Sequence, residues 1–196
     1  KRRTSLSFTF NRHDPLYAGH PRLSFLEERE GVDGPDKPGH DGKGKAERRM
    51  TTPKLYWEDF PVGETVEFGS KHVTKEEILE FARAFDPQPF HLDEEAAKQS
   101  ILGGLCASGW HSCAMLMRMM FDGYIHEAAS LGAPGVDEVR WKKPVYVDDT
   151  LRARRTCLES RASKSRPEMG LTKFRTEMLN QKDEVVMTME GWAMYG

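Results

Sequence analysis

Cysteine is scarce in this 196-residue chain: Cys106, Cys113 and Cys157 make an odd number. None stands in a CxxC pair or at zinc-finger spacing from histidines, so neither a disulfide framework nor a structural zinc site is expected, and a reducing, cytoplasmic setting is. An excess of charge of one sign is also lacking, with 29 Lys and Arg against 31 Asp and Glu. Nucleic acid and anionic membrane surfaces are therefore not expected partners. Long apolar runs are missing too. The longest stretch without a formal charge, Gln99 to Met117, contains Ser100, Ser108, His111, Ser112 and three glycines, and reads as a buried loop and helix rather than a membrane span. The basic opening resembles a targeting peptide only briefly, since Asp14, Glu27, Glu28 and Glu30 interrupt it and no apolar segment follows.

What is present is unevenly distributed. Residues 1–49 carry 11 Lys and Arg, 8 Asp and Glu, 6 Gly and 4 Pro, with few apolar residues. Within them Gly31 to Lys45 is a low-complexity run that cannot bury enough apolar surface to offset its ordering entropy. Residues 1–49 are expected to be a disordered tail, an extension or a translated upstream stretch with Met50 as initiator. Residues 50–196 carry 18 Lys and Arg against 23 Asp and Glu. They are expected to form a single acidic domain that holds all of the chemistry.

Within that domain Thr65 to Val73 reads as a strand. Thr74-Lys-Glu-Glu77 is a capping box, and the apolar residues Ile78, Leu79, Phe81, Ala82 and Phe85 follow at helical intervals. Pro87 stops that helix at Asp86, and Pro89 extends the constraint, which predicts an extended overhang from Asp86 to His91. Asp93 caps a brief helix, Glu94 to Gln99. A glycine-rich loop then opens into Trp110 to Tyr124, apolar nearly all round and so expected to be an enclosed core helix. Four strands follow, at 136–143, 150–160, 171–180 and 185–195, in antiparallel succession. The fold class predicted is α+β, an antiparallel sheet wrapped around one apolar helix.

The strongest chemical constellation is Asp86 with His91. Across an extended Pro-Gln-Pro link the carboxylate and the imidazole can converge and hold one water between them, and imidazole titrates near neutrality. The plain structural alternative is that Asp86 caps the helix end and His91 is a satisfied loop histidine. The glycine-rich entry to the long helix is the second feature. First-turn N–H groups have no intrahelical partner, and Gly109 lets a carbonyl approach its amide, as an oxyanion site requires; a simple turn is the alternative for Gly103-Gly104. Ser108 reads as an N-cap, since no GxSxG motif occurs. His111 reads as a core or cleft histidine, and the methionines of 115–120 as deformable packing, with Met117 or Met120 placed to line an acyl channel. His72 and His126 have no partners at metal-ligand spacing, and Arg152, Arg154 and Arg155 read as a solvated strand face.

The segment Phe81-Ala-Arg-Ala-Phe-Asp86-Pro-Gln-Pro-Phe-His91-Leu-Asp93, then Gly103-Gly-Leu-Cys-Ala-Ser-Gly109 and an apolar helix, then Lys143-Pro-Val-Tyr-Val-Asp-Asp-Thr-Leu151, resembles the MaoC-like dehydratase and (R)-specific enoyl-CoA hydratase family over Tyr56 to Tyr195. The resemblance implies a hot-dog fold and a homodimer or higher homo-oligomer with the site at or near the subunit interface. It also implies hydration of a trans-2-enoyl thioester, carried by CoA or an acyl carrier protein, with no metal, flavin or nicotinamide cofactor. It assigns Asp86 and His91 to catalysis and the Gly109 amide to the thioester oxygen, with Gln88 and Ser108 beside them. Gln88 stands where the family commonly has Asn, and Ser108 where it often has His or Pro. A hot-dog acyl-CoA thioesterase, or a non-catalytic module that binds acyl thioesters, is the alternative.

Overall fold

The structure is a computed structural model and describes residues 53–196; the expected tail of residues 1–49 lies outside the described residues. The elements run β1 (Thr65–His72), α1 (Lys75–Phe85), α2 (Pro89–Leu92), α3 (Glu94–Gln99), α4 (Gly109–Gly123), β2 (Ser130–Trp141), β3 (Thr150–Ala162), β4 (Gly170–Leu179) and β5 (Val185–Tyr195). The Thr74 capping box forms as expected: the Thr74 hydroxyl accepts from the Glu77 amide, and the Glu77 carboxylate accepts from the Thr74 amide. Asp93 caps α3 by accepting from the Ala96 N–H at 2.8 Å. No helix among the described residues is long and apolar enough to cross a membrane.

All five strands form one antiparallel sheet in the order β1-β3-β4-β5-β2. The strands are therefore not in simple succession. β3, β4 and β5 follow one another, but the chain leaving α4 enters at the far edge, so β2 pairs with β5. β2 also begins at Ser130, six residues before the expected start. Gly132, Pro134 and Gly135 hide its first half in the sequence, and the ladder there is broken by register shifts.

One face of the sheet packs on α4. Met115, Leu116 and Met119 meet Leu151, Ala153, Met178, Val186 and Met187 in a common core, which Val73 and Ile78 join from the β1–α1 corner. This is the arrangement of helix and sheet that the sequence predicts. The helix is not wholly enclosed, however. Trp110, Met117 and Phe121 are 64%, 50% and 44% exposed, because the sheet and α1 cover only part of its circumference.

The basic run on β3 is not a uniformly solvated face. Leu151, Ala153, Arg155 and Cys157 face inward at the strand period of two, so only Arg152 and Arg154 face outward, where they pair with Glu67, Glu177 and Asp183. Arg155 is buried with its guanidinium carbon 4.7 Å from the Phe60 ring, 4.4 Å from Tyr124 and 4.9 Å from Phe174. Glu64 stands 3.7 Å away. Three aromatic faces replace water around this cation.

Candidate active site

The end of α1 delivers Asp86, whose N–H makes the last bond of the helix to the Ala82 carbonyl at 3.0 Å before Pro87 breaks it. The overhang is shorter than expected. It is extended only through Gln88, because Pro89 opens the one-turn helix α2 and places His91 on it. Proline suits the first helical position, where no amide donor is needed and its fixed φ already matches the helix. Even so, the two side chains converge: His91 Nε2 lies 3.6 Å from Asp86 Oδ2, with the side chains 8% and 18% exposed.

The imidazole is oriented from behind. His91 Nδ1 lies 2.9 Å from the Cys106 carbonyl oxygen, and a carbonyl only accepts, so Nδ1 carries the hydrogen. In the neutral ring Nε2 then holds the lone pair that faces Asp86. Asp86 is held on both oxygens. The Ser108 hydroxyl donates to Oδ2 at 2.6 Å, and the Gln88 amide donates to Oδ1 at 2.8 Å. The Ser108 bond is the main reason its carboxyl titrates below the usual aspartate range; burial opposes this, while Gln88 and the charge on His91 assist. Asp86 is thus an anionic acceptor, and His91 is the group free to take a proton.

Ser108 is also the N-cap of α4, its oxygen accepting from the Trp110 N–H at 3.3 Å. Gly109, the next residue, occupies the first helical position, and its N–H has no intrahelical acceptor. Asp86, Gln88, His91, Ser108 and Gly109 all line one cleft of about 400 Å³. The structure therefore brings all five predicted site residues together. His111 goes elsewhere: it is buried with its ring stacked on Phe81 at 4.6 Å, and burial pushes its pKa down.

Three contributors have no clear signal in the sequence. Cys106 supplies a backbone carbonyl, which any residue carries; its own thiol is pushed up to about 11 by burial and stays protonated at neutral pH. Trp141 reaches the cleft from the end of β2, and Lys142 follows it on the same wall. A tryptophan beside two lysines was visible in the sequence, but only the β2 crossover sets it against Gly109.

The family model described as MaoC like domain matches residues 59–178. The chain belongs to the MaoC-like domain family. A MaoC-like dehydratase from Rhodospirillum rubrum is similar at 37% identity and a TM-score of 0.65, over 72% of this chain and 96% of that one. The uncharacterized protein YdeM of Bacillus subtilis is 28% identical over 134 residues, which is 68% of this chain and 92% of its own length. An (R)-hydratase from A. caviae involved in PHA biosynthesis shares the hot-dog fold, with 20% identity and a TM-score of 0.55 over 70% of this chain and 96% of that one. The α+β hot-dog fold of this MaoC-like domain is thus the one its sequence predicts.

Proposed function

We propose that this MaoC-like domain reversibly hydrates a trans-2-enoyl thioester to the (R)-3-hydroxyacyl thioester. The observation that carries the reading is the Asp86 and His91 pair, 3.6 Å apart at the cleft wall, with the first turn of α4 beside it. A water between them donates one hydrogen to the Asp86 carboxylate and the other to His91 Nε2. Nε2 takes that proton as the water oxygen attacks C3. Negative charge then moves through C2 to the thioester oxygen, where the Gly109 N–H stabilises the enolate. The imidazolium returns its proton to C2 on the same face, so the addition is syn and leaves the pair as it began. Ser108 and Gln88 keep Asp86 ionised and aimed.

The family membership and the (R)-hydratase name of the A. caviae neighbour support this reading, as does the likeness to the Rhodospirillum dehydratase. The substrate in this proposal is an acyl-CoA or acyl-carrier thioester, and the proposed form of the protein is a homodimer or higher homo-oligomer in the cytoplasm. The test is hydration of crotonyl-CoA and of longer and branched enoyl-CoAs. Asp86→Asn and His91→Ala are each expected to lower kcat by about 10²–10⁴-fold while the protein stays folded. Wild-type protein inactive at every chain length, or either variant at full rate, refutes the mechanism.

A further inference from the structure

Trp141 touches the first turn of α4 in two ways. Its indole Nε1–H donates to the Gly109 carbonyl oxygen at 2.9 Å. Its ring also fills the place of the side chain that Gly109 lacks: a Cβ there would lie 2.6 Å from Cε2 and 2.9 Å from Nε1. The sequence suggests that Gly109 is small so that a substrate carbonyl can approach, but the space is already taken by the indole. Tryptophan is what demands glycine at this position.

The same peptide group is held from its other side. The Gly109 carbonyl and the Trp110 N–H belong to one plane, and the Trp110 N–H donates to Ser108 Oγ. A plane tied at both its oxygen and its hydrogen cannot swing, although glycine is the residue with the greatest backbone freedom. Ser108 in turn holds Asp86. The Trp110 N–H is therefore occupied, and the Gly109 N–H is the donor of this turn left for the cleft.

Resting on the hydratase reading above, we propose that Trp141 is a positioning residue: a strut from β2 that fixes the Gly109–Trp110 peptide plane. The Gly109 N–H lies in the preceding plane, whose Ser108 carbonyl accepts from the Ser112 N–H at 3.0 Å; with the planes on both sides of the Gly109 Cα held, Gly109 cannot rotate and its N–H is aimed before the thioester oxygen gains charge. A preorganised donor stabilises that charge without reorienting during the reaction. Trp141 does not act on the proton transfers, because its hydrogen bond goes to the helix and not to Asp86 or His91.

Trp141→Phe keeps an aromatic ring against Gly109 and removes the N–H. Steady-state kinetics on crotonyl-CoA should show kcat lower by about tenfold, less than the 10²–10³-fold typical of losing an oxyanion donor outright. KM should stay within about twofold, since ground-state binding is untouched. The acid limb of the pH profile should not move, because Asp86 and His91 both keep their partners. In ligand-free protein, NMR hydrogen exchange at the Trp110 amide should quicken by about tenfold as the peptide is released. Wild-type kcat in Trp141→Phe, a shifted acid limb, or unchanged exchange overturns the proposal. If wild-type protein hydrates no thioester, the hydratase reading falls, and exchange alone then decides whether Trp141 holds the peptide.

Discussion

Removing the Ser108 hydroxyl perturbs two structures at once. In Ser108→Ala the Asp86 carboxylate loses its 2.6 Å donor and α4 loses its N-cap. A hydrogen bond to a charged group contributes about 1.5–3 kcal/mol, and an N-cap about 1 kcal/mol. One hydroxyl makes both contacts, so the two figures overlap, and about 2–3 kcal/mol of destabilisation at neutral pH is expected. The sign with pH follows from Asp86. Its folded pKa is lowered, so it contributes stability that is full above the unfolded carboxylate range and is lost as pH falls through the folded value. The variant has less of this contribution to lose. The gap between wild type and Ser108→Ala in urea unfolding should therefore be widest at pH 7 and narrow as pH is lowered through the aspartate range. A gap that stays constant with pH would show that Ser108 acts only as a helix cap.

Gly109→Ala places a Cβ against the rigid Trp141 ring. The expected cost is about 1–3 kcal/mol by equilibrium unfolding, with loss of most hydration activity as the α4 entry shifts. Arg155→Ala empties the centre of the Phe60, Tyr124 and Phe174 cluster and should cost about 3–5 kcal/mol, as truncation of a large buried side chain does. Its kcat should match wild type at temperatures where it is folded, since Arg155 does not line the cleft. Thr74→Ala breaks the capping box of α1 and should lower stability by about 1 kcal/mol, read as a lower urea midpoint.

The local grammar of this chain was legible because it is written in adjacent residues. Thr74 and Glu77 announce α1, Asp93 announces α3, and Pro87 ends α1 at Asp86. The period of two on β3 was legible in principle, but a run of arginines reads as solvent-facing until the aromatic rings that receive Arg155 are in place. Those rings come from Phe60, Tyr124 and Phe174, which are far apart in sequence. The edge position of β2 was hidden for a related reason: pairing with β5 is a long-range choice, and Gly132, Pro134 and Gly135 blur the strand pattern. At the site, the side chains with their own chemistry, Asp86 and His91, are legible in the sequence. Parts that act through the backbone or through tertiary placement, the Cys106 carbonyl and the Trp141 indole, needed the fold.

The stereochemistry of the product tests the central claim most directly. Purified protein is incubated with crotonyl-CoA, and the thioester products are resolved by chiral chromatography beside Asp86→Asn. The (R)-hydratase reading, with Asp86 and His91 delivering water to C3, predicts (R)-3-hydroxybutyryl-CoA from the wild type and almost none from the variant. The (S) product, free CoA without hydration, or equal yields from both proteins would contradict it.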